Sequence, residues 1–144
     1  MIQRIQSLWL FIAAVLATLS FKFSFYIGTW LNGGVPHLQQ PLNAYTPSVL
    51  VLVATVVTIV VSLIAIFMYK NRKQQLLLSV LDVLISIGLI CLYIMEINKN
   101  FQPGSGAYTL TSIFVFLIPF VLILAIRGIS RDIKLLKSAD RLRN

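Results

Sequence analysis

The sequence predicts an all-α integral membrane protein. It reads as a four-helix bundle with both termini on the cytoplasmic side (N-in/C-in) and a basic amphipathic C-terminal helical extension. Three observations predict this. First, 58% of the 144 residues are hydrophobic and 11% are charged, with a mean hydropathy of +0.91; ordinary soluble domains are roughly 45–50% apolar and about 25% charged. Second, the charges sit at the ends of long apolar runs, and about 20 apolar residues suffice to cross a bilayer as a helix. Third, Arg4, the three bases of the turn at 70–74 and the six of the tail fall on one side, leaving Lys22 and Lys99 on the other. That bias places the termini and the turn in the cytoplasm. The length suits one membrane domain, residues 1–144.

The first helix is expected over about 5–26. The opening MIQRIQSLWLFIAAVLATLS has the look of a secretory signal, but no A-x-A pattern precedes Phe21, so it reads as a retained helix. Lys22 lies roughly 26 Å from Ile5 at helical rise, near the far interface, where Lys snorkels. SFKFSFY alternates aromatic and polar residues, a strand-like period that begins an extended segment outside the membrane. Tyr26 and Trp30 fit an aromatic belt there.

Residues 31–47, LNGGVPHLQQPLNAYTP, carry two Gly and three Pro and read as an irregular, exposed loop. Its His37 is the chain's one histidine and has no ligand-type neighbour with which to hold a metal. The second helix covers about 48–68, without a charge and rich in Val and Ile. In lipid the backbone must satisfy itself, so helix wins over β propensity. KNRKQ (70–74) closes a hairpin to a third helix over about 75–95. A second loop, 96–108, contains Glu96 and Lys99, three apart as a surface pair. The fourth helix, about 109–126, contains Pro119, whose ring frees the carbonyl of Val115. In the tail, 127–144, Ile126, Ile129, Ile133 and Leu136 recur at helical spacing among bases, a pattern suited to a membrane surface with anionic headgroups or to a partner.

One carboxylate interrupts the third run. Asp82 in LSVLDVLISIG has no basic residue between Gln74 and Met95. It falls about 12 Å into the helix, level with Ser62 of the second helix, while Lys22 is too deep to pair with it. Ser79, Asp82 and Ser86 share one helical face, as do Thr55, Thr58 and Ser62, so the two polar stripes are placed to face each other. In a structural reading Asp82 is held neutral and donates a hydrogen bond across this seam, worth about 0.6–2 kcal/mol. In a functional reading it relays protons or binds a cation, because intramembrane acids are functional candidates. Transport also asks for further relay groups or a broken helix, which the sequence does not supply, and the structural reading is favoured.

Neither a phosphate-binding glycine loop, a G-x-S-x-G elbow nor a paired membrane acid is present. The expectation is a non-enzymatic protein with no cofactor and no metal. The single Cys91 lies in an apolar run and forms no intramolecular disulfide. The formal charge of +8 is accounted for by orientation in the membrane, so nucleic acid is not favoured as a partner.

The stretches MIQRIQSLWLFIAA and AIRGISRDIKLLKSADRLR resemble the opening and ending of a family of small integral membrane proteins of Bacteroidota, the domain-of-unknown-function 4293 family. SADRLR (138–143) is the most specific part, and the likeness spans essentially the whole chain. The resemblance implies a multi-pass, four-helix protein of the bacterial inner (cytoplasmic) membrane and imports no activity. An ordered ending is more than orientation requires, which makes Arg131, Asp132, Ser138, Asp140, Arg141 and Arg143 a candidate docking surface; the plainer reading of Asp132 and Asp140 is charge balance on a solvated helix. Three functions follow: an accessory or scaffold subunit of a larger membrane complex, a small oligomeric transporter or channel using Asp82, and a membrane-surface or ribosome/nucleic-acid tether through the tail.

Overall fold

The computed structural model describes residues 2–32, 35–44 and 48–143. Four helices dominate: α1 (Ile2–Lys22), α2 (Val49–Phe67), α3 (Arg72–Asn100) and α4 (Ile113–Arg143). All four are long and apolar enough to span a bilayer. Each packs against two neighbours, α1 against α2 and α4, and α3 against α2 and α4. The bundle is therefore a closed square of antiparallel helices, with both chain ends and the α2–α3 turn at one end.

The buried positions explain the packing. On α1 they include Gln6, Leu10, Ala13, Ala17 and Ser20, with Ala14 beside them; on α2 they are Val51, Thr55, Thr58, Ser62 and Ala65. On α3 they are Gln75, Ser79, Asp82, Ser86, Leu89 and Tyr93; on α4, Val115, Ile118, Leu122, Ala125, Ile129 and Asp132. The main series on each helix steps by three and four residues, the seven-residue repeat of helices crossing at about 20°; Ala14 on α1 and Pro119 and Val121 on α4 widen it. Small residues dominate the inward stripes of α1 and α2, which lets backbones approach closely where lipid supplies no hydrophobic drive. Val53, Val56, Val60 and Leu63 of α2, and Leu77, Leu81, Leu84 and Ile87 of α3, point outward. On α2 and α3 polarity is thus reversed relative to a soluble bundle, with apolar side chains facing out and hydroxyls facing in, whereas the inward stripe of α4 is mostly apolar.

The opposite end carries a three-stranded antiparallel sheet, β1 (Tyr26–Asn32), β2 (Val35–Leu42) and β3 (Ala107–Tyr108), in the order β2-β1-β3. This corrects the irregular loop expected over 31–47. Pro36 and Pro41 are tolerated because β2 is an edge strand, paired in the sheet with β1 on one side. The strand-like period of SFKFSFY does lead into β1, but α1 ends at Lys22 rather than Tyr26. Residue 37 lies in β2, and the His37 side chain is outside the described residues.

The sheet is pinned to the bundle by aromatic packing. Phe25 stacks on Tyr93 of α3 with ring centroids 4.4 Å apart, and Tyr26 and Trp30 each meet Phe101 edge-on. Tyr26 is thus buried against protein and not part of a lipid-facing belt. Gly106 crosses Gly28 so closely that a Cβ on Gly106 would lie 2.3 Å from the Ile27 carbonyl oxygen and 2.6 Å from the Gly28 Cα. Only glycine fits such an approach.

Two further differences concern helix ends. α3 continues past Met95 to Asn100, with Glu96 accepting a hydrogen bond from the Asn100 side chain in place of the expected Lys99 pair. α4 runs unbroken through Pro119 and on to Arg143.

Candidate functional site: the polar seam between α2 and α3

All six residues of the predicted seam are buried. Thr55, Thr58, Ser62, Ser79 and Asp82 are fully enclosed, and Ser86 is 1% exposed. The seven-residue repeat sends both stripes into the interior, so their burial follows from the same spacing that packs the helices.

The seam is not a continuous interhelical ladder. Thr55 donates to the Val51 carbonyl at 2.8 Å, Thr58 to Ala54 at 3.0 Å, Ser79 to Gln75 at 2.9 Å and Ser86 to Val83 at 2.8 Å. Each hydroxyl is satisfied by its own helix, because a carbonyl three or four residues back is always within reach. Among the six, the bond that crosses between helices joins Ser62 Oγ, as donor, to Asp82 Oδ2. Asp82 Oδ1 is buried without a hydrogen-bond partner. The expectation that hydroxyls on both helices would bond across the seam thus narrows to one pair, and in it Asp82 accepts from Ser62 rather than donating as expected.

Residues above and below extend the stripe. Gln75 lies one step below Ser79, and Tyr93 one step above Leu89, both buried on the same face of α3. Gln75 and Tyr93 are not among the six residues expected of the seam, although continuing the 3-4 spacing from Ser79 and Ser86 reaches both.

At the end carrying the chain termini, Arg72 Nη1 of α3 meets Asp132 Oδ2 of α4 at 3.0 Å. Asp132 is 4% exposed, which corrects its reading as charge balance on a solvated helix. The pair binds the start of α3 to the tail. Of the other tail candidates, Arg131 is exposed on a different side, and exposed Ser138 donates to the Leu135 carbonyl at 2.8 Å. The Asp140, Arg141 and Arg143 side chains lie outside the described residues. The tail stripe is graded: Ile129 is buried, Ile133 half-buried and Leu136 50% exposed. Ile133 and Leu136 still border the 70–74 turn, and α4 is exposed from Lys134 to Ala139.

Four apolar helices with an enclosed polar seam define a multi-pass membrane protein. The family model described as a domain of unknown function, DUF4293, matches residues 2–142. The chain belongs to that family. No curated protein matches the sequence.

Proposed function

We propose that the protein is a non-enzymatic accessory or scaffold subunit of a larger assembly in the bacterial inner membrane, with both termini in the cytoplasm. The observation that carries this reading is the enclosure of Asp82 and Ser62, each 0% exposed. A buried carboxyl bonded to the neighbouring helix locks two helices together and has no route to a solute. The outward faces of α2 and α3 are instead continuous apolar surfaces, available to lipid or to other membrane helices. Orientation rests on the bases: Lys70, Arg72, Lys73 and the tail cations share one end of the bundle, the end that positive-inside bias assigns to the cytoplasm.

Extraction of native membranes in mild detergent, followed by sizing and identification of what comes out with the chain, tests this reading. Migration in a larger assembly of fixed composition is expected. Migration alone at native expression level contradicts it.

One observation favours a second reading, a small transporter using Asp82. Oδ1 has no partner, and an unpaired buried acceptor is what a proton or cation would occupy. Flux through proteoliposomes that disappears in Asp82→Asn, with the fold intact, would establish that reading over the first.

A further inference from the structure

A groove of about 700 Å³ runs between the N-terminal turns of α1 and the emerging part of α4, and Gln6, Trp9, Leu124, Arg127, Arg131 and Lys134 line it. Arg127, Arg131 and Lys134 are spaced four and three apart, so they form one cationic column about 10 Å long on a single face of α4. No acidic side chain lines the groove among the described residues. Asp132, the nearest acid in sequence, is committed to Arg72 on another side of α4.

Two features make this more than a charged surface. The Gln6 side chain is 3% exposed, and its Nε2 donor has no hydrogen-bond partner. It lies along Gly128, also in the groove wall, so closely that a Cβ there would come within 2.9 Å of Gln6 Cγ. Gly128 thus makes room for a buried amide that otherwise bears an unmet donor. Below the cations, Trp9 and 41%-exposed Leu124 continue the wall along the apolar span. Cations and an amide above an indole and aliphatic side chains match a phosphate group above an acyl chain.

We infer that this groove is a binding site for an anionic phospholipid: the phosphate sits among Arg127, Arg131 and the Gln6 amide, Lys134 neutralises remaining headgroup charge, and an acyl chain lies along Trp9 and Leu124. The inference requires only that the bundle sits in a membrane and stands apart from the accessory-subunit reading.

The test uses the full chain, stripped of lipid in neutral detergent, with native mass spectrometry of bound phosphatidylglycerol and phosphatidylcholine. One phosphatidylglycerol is expected per chain, in preference to phosphatidylcholine. The double variant Arg127→Gln/Arg131→Gln weakens it about thirtyfold, the consequence of removing two interfacial cations. Lys134→Gln has a smaller effect in the same direction, and keeps the test valid if the double variant fails to fold. Lys70→Gln/Lys137→Gln, on the other flank of α4, leaves binding unchanged. Gln6→Met lowers affinity without lowering thermal stability, because it removes an unmet donor. Equal retention of the two lipids, or undiminished binding in the arginine double variant, overturns the site. Displacement by millimolar inorganic phosphate also overturns it, since that makes it a free-anion site.

Discussion

Ser62 and Asp82, twenty residues apart in sequence, join α2 to α3 through a single side-chain hydrogen bond in the enclosed interior of the bundle. The hydroxyls around them are satisfied within their own helices, so among these polar side chains it is this contact that ties the two helices together. Asp82→Asn retains an acceptor for Ser62 and is expected to change stability by less than about 1 kcal/mol. Asp82→Ala removes the bond, leaves a cavity and destabilises by about 1–3 kcal/mol. Unfolding of the two variants in detergent checks the order; equal losses would mean that the bond carries no weight.

The Arg72–Asp132 pair predicts non-additive mutants. Asp132 is nearly buried and Arg72 is 20% exposed at its side chain, so loss of either partner strands the other. Arg72→Gln is expected to destabilise by about 1–3 kcal/mol, whereas Arg131→Gln, on an exposed residue, stays within about 0.5 kcal/mol. A double-mutant cycle of Arg72→Gln with Asp132→Asn should give a coupling above about 0.5 kcal/mol. Additive effects would show that the contact does not hold the tail.

Two glycines predict opposite outcomes. A Cβ at Gly106 collides with backbone atoms of β1 that cannot step aside, so Gly106→Ala should destabilise by about 1–3 kcal/mol and loosen the β1–β3 pairing. Gly88 has nothing within 4 Å of an added Cβ. Gly88→Ala, on the outer face of α3, is expected to be neutral or to stabilise by up to about 1 kcal/mol. Thermal melts of the two variants compare them directly, and similar losses would contradict the close approach at Gly106.

The helices were legible because bilayer thickness forces about 20 apolar residues per crossing, whatever their β propensity. The polar stripes were legible because only an inward position tolerates Ser79, Asp82 and Ser86 in such a run. The sheet was not. Pro36 and Pro41 read as breakers, and their acceptance depends on β2 lying at an edge, a property of the pairing rather than of the segment. Nor does local sequence tell that Tyr26 turns onto Phe101 instead of lipid, since an aromatic at the end of a span suits both environments. The first charges, Glu96 and Arg127, mark where the apolar crossings of α3 and α4 end, but a charge does not end a helix. Asp132 was read from its basic neighbours, while its partner Arg72 lies sixty residues away. The Gln6 groove needed two chain segments brought together, and neither one signals it alone.

Whether water reaches the Ser62–Asp82 contact tests the account most directly. With Cys91 replaced by alanine, Ser62→Cys places a near-isosteric thiol at the contact, and a small water-soluble thiosulfonate is applied from each side of proteoliposomes. The enclosed seam predicts no labelling from either side, with Ser130→Cys in the wall of the basic groove labelled as a control. Rapid labelling of position 62 in a protein with unchanged helical content would contradict the sealed interior, and with it the assignment of Asp82 to holding the helices together.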